Sequence, residues 1–372
     1  MTDFHPGTAY PELYDSLLVE KAQETRCQFQ VFFDGPLHVV PSAVSHYRMR
    51  AEFRFWHEGD NSYYAMYAPG RYKQPIEITD FSIGSEKIYT LMPQLLAQIK
   101  INPILRTKLY QVEFLTALSG DALITLIYHK PLEVDWQAAA ASLEEHLATP
   151  IIGRSKKQKV VLSRDYVEEV LPLNAGNLRY RQYETGFTQP NANVCCEMIN
   201  WAYDHAKTME GDLLELYCGN GNFTIPLAKQ FRRVLATEVS KLSTKAALEN
   251  MTLNDANNID IVRLSAEEVS EAMLGTREFR RLAHIDLADF NFSTIFLDPP
   301  RSGLDKATEA LASRFDNIIY VSCNPDTLKE NLEHLSVSHE IVDFALFDQF
   351  PYTHHRECGV ILRRKSSNDN AL

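Results

Sequence analysis

Cys323 sits in the run Val321–Thr327 (VSCNPDT), where an apolar stretch meets a helix start. Asn324 suits a helix N-cap and Pro325 the first helical position. A thiol there lies at the positive end of the helix dipole, which favours thiolate. That help matters, because an unperturbed thiol is only about 3% ionised at pH 7. The position suits a nucleophile. A second polar group, Leu297–Gly303 (LDPPRSG), follows another apolar run and offers Asp298 and Arg301. Its two prolines stiffen the strand exit and remove two backbone donors. Glu357, in Thr353–Gly359 (THHRECG), stands before the last apolar run among histidines, where a buried or clefted role is open to it.

A fourth segment suits a bound nucleoside. Glu215–Phe223 (ELYCGNGNF) joins a strand-like run to a helix-like one. Gly219 and Gly221 let the backbone turn sharply and approach a ligand closely. The next apolar run ends at Glu238, 17 residues beyond Gly221, and an acid there suits a pair of ribose hydroxyls. The third glycine of a dinucleotide fingerprint is missing. A nucleoside without pyrophosphate, such as S-adenosylmethionine, fits better.

The elements that must position these residues are legible in the C-terminal half. Strand-like runs cover 213–217, 233–237, 259–263, 293–297, 317–322, 340–346 and 358–363. Helix-like segments cover 192–207, 222–231, 240–253, 265–274, 305–314 and 326–336. Alternating strands and helices predict a mostly parallel, doubly wound α/β sheet, and ligands in such sheets bind beyond the carboxyl ends of the strands. The last two runs have no helix between them and are expected to pair antiparallel at one edge. Further upstream, His46–Trp56 alternates with period two: Tyr47, Met49, Ala51, Phe53 and Phe55 share one face, and Arg48, Arg50, Glu52 and Arg54 the other. Turn residues between Pro150 and Asn177 place a domain boundary near 178. The last eight residues read as a frayed polar tail.

The 372 residues are 45% hydrophobic and 23% charged, as in folded proteins, so a mainly disordered chain is excluded. The net charge of −12 opposes binding nucleic acid by bulk positive charge. Neither half is basic: residues 1–178 carry −4 and the remainder −8. Any nucleic-acid surface must be local. Its candidates are the arginine stripe of 48–54 and the run His146–Arg164, with five bases and no acid. The six cysteines have no metal-ligand spacing, so no zinc or iron–sulfur centre is expected. No secretory signal or membrane-length apolar run stands out, and free thiols point to the cytosol.

Together these segments resemble the S-adenosylmethionine-dependent RNA uracil-5-methyltransferases. ELYCGNGNF, FLDPPRSGLD, YVSCNPDTL and the late Glu357 match in order and approximate spacing over about 140 residues. HYRMRAEFRFWH, IIGRSKKQK and FTQPN look like the transfer-RNA branch, which methylates a T-loop uridine. The resemblance implies an RNA-recognition domain of α+β type over 1–178 and a Rossmann-like class I methyltransferase domain over 179–372. It implies that Cys323 adds to uracil carbon 6, that Glu357 removes the carbon 5 proton, and that Asp298 and Arg301 hold the uracil edge. Gln189, Tyr217, Asn222, Glu238 and Asp298 match cofactor-binding positions, beside Gly219 of the turn. The target base must be flipped out of its loop, and aromatic and arginine side chains upstream could hold the opened loop by stacking.

The expected partner is transfer RNA through its T-arm, with no membrane and no obligate protein partner. Rivals are ribosomal or transfer-messenger RNA as acceptor, a small-molecule acceptor, or an RNA-folding protein whose methylation is incidental. The ribosomal branch usually carries a four-cysteine cluster whose spacing is missing here. Cytosine-5 methyltransferases place a cysteine, and adenine-amino methyltransferases an aromatic residue, where this chain has Arg301.

Overall fold

The structure, a computed structural model, describes residues 5–67 and 74–366; most of the expected polar tail lies outside them. In chain order, helix α1 (Pro11–Phe29) and strand β1 (His38–Val40) come first. They precede β2 (Arg50–Glu58), β3 (Asn61–Tyr67), β4 (Pro75–Glu77), α2 (Glu86–Ile101) and α3 (Pro103–Arg106). Next come β5 (Leu109–Thr116), β6 (Ala122–Tyr128), α4 (Val134–Leu147), β7 (Ile151–Ser155) and β8 (Gln158–Val161). A ribbon of β9 (Tyr166–Leu173) and β10 (Gly176–Tyr183) follows. The rest of the chain forms α5 (Ala192–Ala206), β11 (Asp212–Leu216), α6 (Thr224–Leu227), β12 (Val234–Thr237) and α7 (Lys241–Leu253). It continues with β13 (Ile259–Val262), α8 (Ala266–Met273), β14 (Phe292–Leu297) and α9 (Lys306–Ala312). It ends with β15 (Asn317–Ser322), α10 (Pro325–Leu335), β16 (His339–Phe347) and β17 (Glu357–Arg364).

These elements cluster into two compact units, each drawn from several stretches of chain. The first comprises Met1–Tyr14, Ala43–Val170 and Arg181–Asn193. The second comprises Asp15–Ser42, Leu171–Tyr180 and Val194–Leu372.

The first unit is built on a seven-stranded sheet in the order β4-β3-β2-β5-β6-β7-β8. It is antiparallel except where α4 carries the chain from β6 to a parallel β7. The alternation in β2 does what its pattern dictates. Tyr47, Met49, Ala51, Phe53 and Phe55 are buried, and Phe53 packs into one core with Leu91 and Leu95 of α2 and Trp136 of α4. Gly153 on β7 permits that packing, since a Cβ there would lie 2.2 Å from the Trp136 ring.

The second unit holds an eight-stranded sheet, β1-β16-β17-β15-β14-β11-β12-β13. The expected strands and helices form close to their expected bounds, with one exception. Only Thr224–Leu227 of 222–231 is α-helical. Pro226 lacks the N–H that would bind the Asn222 carbonyl, which limits the helix on its N-terminal side, and beyond Leu227 the chain tightens into turns in which Lys229 and Gln230 donate three residues back. β16 and β17 pair antiparallel as expected, but a strand from the start of the chain lies outside them: β1 pairs parallel with β16. Among the described residues no helix is long and apolar enough to cross a membrane.

Helix α1 is tied to the far end of the sequence by a buried ion pair. Lys21 Nζ donates to Asp348 Oδ1 at 2.7 Å and to the Phe350 carbonyl at 2.8 Å. Lys21→Met leaves Asp348 as an uncompensated buried charge, which typically costs about 3–5 kcal/mol. Urea denaturation is expected to register that loss for Lys21→Met. Most of it is expected to return in Lys21→Met/Asp348→Leu, where no charge is stranded.

Candidate active site

Four strand ends meet at one edge of the second sheet. β11 ends before Tyr217, β14 before Asp298 and β15 before Cys323, all running parallel. β17 runs against β15, so it enters at the edge where β15 leaves. Ser322 pairs with Cys358, which sets Cys323 and Glu357 next to one another as the following step of the ladder. Leu297 pairs with Tyr320, so Asp298 follows at the level of Val321, two steps short of Cys323.

The sheet thus gathers the four residues expected to do chemistry. Cys323 and Glu357 each lie within electrostatic range of Asp298 and Arg301, and of each other. Glu357 is buried, Asp298 and Cys323 are partly buried, and Arg301 is exposed. Burial pushes the Cys323 thiol up to about 11, with Glu357 and Asp298 adding to the rise and Arg301 opposing it. Burial likewise raises Glu357 well above the usual carboxylate range, helped by Asp298, and lifts Asp298 to about 7. The expectation of a thiol tuned toward thiolate is therefore corrected for the ligand-free protein. Asn324 does cap α10, accepting from the Asp326 N–H at 3.1 Å, and Pro325 takes the first helical position. The dipole is present, but desolvation and two neighbouring acids outweigh it.

The second group of expected residues lies where β11 has β12 on one side and β14 on the other, the switch point at which such sheets bind ligands. Tyr217, Gly219 and Gly221 all have positive φ, at 63°, 56° and 84°. A Cβ on Gly219 would meet nothing within 4 Å, so the turn faces open space. Glu238 shapes that turn: it accepts from the Gly219 N–H at 3.0 Å and from the Ser240 N–H at 2.7 Å. Asn222 donates to Cys195 Sγ at 3.1 Å, and its carbonyl accepts from the Tyr180 hydroxyl at 3.3 Å. Gln189 belongs to the first unit, in the segment Arg181–Asn193.

Sequence reading passed over Glu215, a lone acid in an apolar strand, which was its only signal. It is buried, and burial lifts its carboxyl to about 8 with help from Asp298. The Thr224 hydroxyl beside it opposes that rise. Also passed over was α1. Arg356, beside Glu357, donates to Thr25 at 3.2 Å and to Gln28 at 2.7 Å, and Gln28 donates to Asp326 at 2.8 Å.

In the first unit, the two basic candidates fare differently. Within the run 146–164, Arg154 and Lys159 pair with Glu184, Lys159 also with Asp165, and Arg164 with Asp121. Three of its five bases are thus neutralised by acids from elsewhere in the fold. In the stripe, Arg54 lies 3.6 Å over the Tyr110 ring, which stacks on His129 at 3.9 Å and 26°. With Trp56 and Lys108 they line an open groove of about 350 Å³, and Arg54 Nη1 has no hydrogen-bond partner.

The sequence model of the tRNA (uracil-5-)-methyltransferase family matches residues 13–365. The chain belongs to that family. It is 57% identical over 360 residues to the "tRNA/tmRNA (uracil-C(5))-methyltransferase" of Saccharophagus degradans, covering 96% of this chain and 99% of that protein. It is 58% identical over 362 residues to the protein of the same name from Teredinibacter turnerae, covering 97% and 100%. A Pyrococcus abyssi tRNA (uracil-54, C5)-methyltransferase, solved with S-adenosyl-L-homocysteine, shares the fold at a TM-score of 0.72 and 18% identity. That likeness spans 97% of this chain and 88% of the other.

For this family member the charge cluster makes a testable statement about the thiol. Alkylation of Cys323, read on its peptide by mass spectrometry, is expected to rise with pH about a midpoint well above the roughly 8.5 of a free thiol. At such pH Glu357 is ionised and opposes the thiolate, so Glu357→Gln is expected to move the midpoint down. A wild-type midpoint at or below a free thiol's would overturn the electrostatic account.

Proposed function

We propose that this protein transfers a methyl group from S-adenosylmethionine to carbon 5 of a T-loop uridine in transfer RNA, with Cys323 as nucleophile and Glu357 as base. The observation that carries the reading is the strand register that sets Cys323 beside Glu357, with Asp298 and Arg301 in electrostatic range. Uracil carbon 5 is a poor nucleophile until carbon 6 is attacked. Addition of the Cys323 sulfur to carbon 6 moves the double-bond electrons onto carbon 5 and the carbon 4 oxygen. Arg301 stabilises the developing negative charge, and Asp298 holds the uracil edge. Carbon 5 then takes the methyl group. Glu357 removes the carbon 5 proton, the double bond re-forms, and Cys323 leaves as thiolate.

The cofactor's residues fit a cationic methyl donor. Tyr217, Gly219, Asn222, Glu238 and Asp298, with Gln189, are assigned to hold it, and the two acids of that set, Glu238 and Asp298, suit its positive charge. The bound donor supplies the methyl group on a sulfonium. Positive charge in that crevice eases deprotonation of both Cys323 and Glu357, whose ionised forms the cluster otherwise disfavours.

RNA recognition is assigned to the first unit and methyl transfer to the second. The Arg54–Tyr110–His129 stack offers a planar, cationic platform for a base pulled out of its loop. The relatives' names also include transfer-messenger RNA, so an RNA of that kind belongs beside transfer RNA in any assay. The protein is expected to work in the cytosol, where its free cysteines stay reduced.

The decisive measurement is a denaturing gel of protein, S-adenosylmethionine and transfer RNA carrying 5-fluorouridine. Fluorine cannot be removed as a proton, so a covalent complex is expected to persist and to vanish in Cys323→Ala. Glu357→Gln is expected to accumulate the same complex on ordinary uridine RNA, because release needs the base. No shifted band, with S-adenosylmethionine binding intact, would point to another acceptor or to a mechanism without covalent attack.

A further inference from the structure

Helix α10 begins just after Cys323, and three residues along it hold the loop that carries Arg301. Asn324, Thr327 and Asn331 fall at i, i+3 and i+7, one face of the helix. Asn324 Nδ2 donates to the Arg301 carbonyl at 2.8 Å, and Thr327 Oγ1 to the same oxygen at 3.3 Å. Further along, Asn331 grips Leu304 by both of its backbone groups. The Leu304 N–H donates to Asn331 Oδ1 at 3.0 Å, and Asn331 Nδ2 donates to the Leu304 carbonyl at 3.2 Å.

The Asn331 carboxamide is saturated. Its oxygen also accepts from the Tyr320 hydroxyl at 2.7 Å, and its nitrogen also donates to Glu309 Oε1 at 2.6 Å. Two donors and two acceptor sites are all an asparagine side chain has. Gly303 is the residue that lets loop and helix close on each other. Its φ is +71°, and a Cβ there would lie 2.8 Å from both Asn331 Oδ1 and Thr327 Cβ. The loop from Asp298 is thus fixed by β14 at one end and by α10 at the other. Pro299 and Pro300 stiffen what lies between.

We propose that Asn331 is a positioning residue for methyl transfer: it fixes the Arg301 loop against the helix that begins just after Cys323, without touching substrate. The inference rests on the roles assigned above to Arg301 and Cys323. The separation of cation and sulfur is set by helix α10 rather than by the long Arg301 side chain alone. Small errors in such a separation are expensive, since a shift of about 1 Å can cost about 100-fold in rate.

The test is a double-mutant cycle on the rate of covalent adduct formation with 5-fluorouridine transfer RNA at saturating S-adenosylmethionine. Asn331→Ala is expected to slow adduct formation by about 10- to 100-fold. Its S-adenosylmethionine dissociation constant, by equilibrium dialysis, is expected to stay within about twofold, because Tyr217, Gly219, Asn222 and Glu238 follow β11 and β12, and Asp298 is held by β14 at the far end of the loop from Asn331. Asn331→Ala/Arg301→Ala is expected to be no more than about threefold slower than Arg301→Ala alone. Thr327→Val removes one hydroxyl donor at a half-buried site, shared between the Arg301 carbonyl at 3.3 Å and the Asn324 carbonyl at 3.2 Å, and keeps the fold secure. It is expected to slow the wild type several-fold and to have no effect in the Arg301→Ala background. Losses that multiply in the double variants, or cofactor affinity that falls in step with the rate, would overturn the proposal. Absence of adduct in the wild type itself would overturn the nucleophile assignment and the proposal with it.

Discussion

The site depends on one strand running the wrong way. β17 lies between β15 and β16 and antiparallel to both, so its first residue stands where its neighbours end. Were it parallel, Glu357 would begin at the opposite edge. At about 3.3 Å per residue, its eight-residue strand would then hold it about 25 Å from Cys323. The reversal brings together two residues separated by a whole helix, strand and turn of sequence. No side-chain interaction at the site could substitute for it. Backbone register does the assembling, and the side chains inherit their places.

That assembly has an electrostatic consequence. One guanidinium, Arg301, serves an acid cluster of Asp298 and Glu357 together with the Cys323 thiol. A helix N-terminus contributes about 0.3–1 kcal/mol to a neighbouring anion, less than a tenfold change in ionisation. Such a contribution cannot offset the burial and like charge that lift the thiol to about 11. In the ligand-free protein the cluster therefore favours protonated Cys323 and protonated Glu357. The same crowding makes the cluster responsive, because any cation entering it shifts several groups at once. On the proposed reading, nucleophile and base are readied by the arrival of the positively charged methyl donor.

Where sequence reading succeeded and failed follows from the range of the interactions. The doubly wound half is legible because each strand and helix announces itself by local periodicity, and the site segments lie at the junctions. α6 is short for local reasons as well, Pro226 in its first turn and the tight turns that follow Leu227. Long-range pairings leave no such trace. Nothing near residue 38 indicates that three residues will pair with β16, and nothing near residue 21 names Asp348 as its partner. The pairing of the basic run 146–164 is hidden in the same way. Its acids, Glu184 and Asp121, lie outside the window in which the charges were counted. Asn331 is an asparagine in a polar helix until Gly303 and Leu304 are seen against it.

The pairing of those basic residues changes what RNA recognition can rest on. Affinity drawn from many unpaired lysines and arginines would fall steeply with salt through counterion release. Here Arg154, Lys159 and Arg164 are engaged with acids, and the net charge is −12. What the first unit offers instead is a flat stack of Arg54, Tyr110 and His129. Base stacking on such surfaces is worth about 1–3 kcal/mol per base and tolerates different sequences, because every base has a π face. A platform of this kind binds only bases already free of their own stack. On the proposed reading it would select an opened loop over a regular helix. Stacking surfaces of this kind still sit in positively charged grooves, as Arg54 and Lys108 make this one, so on the proposed reading affinity for RNA falls with rising salt.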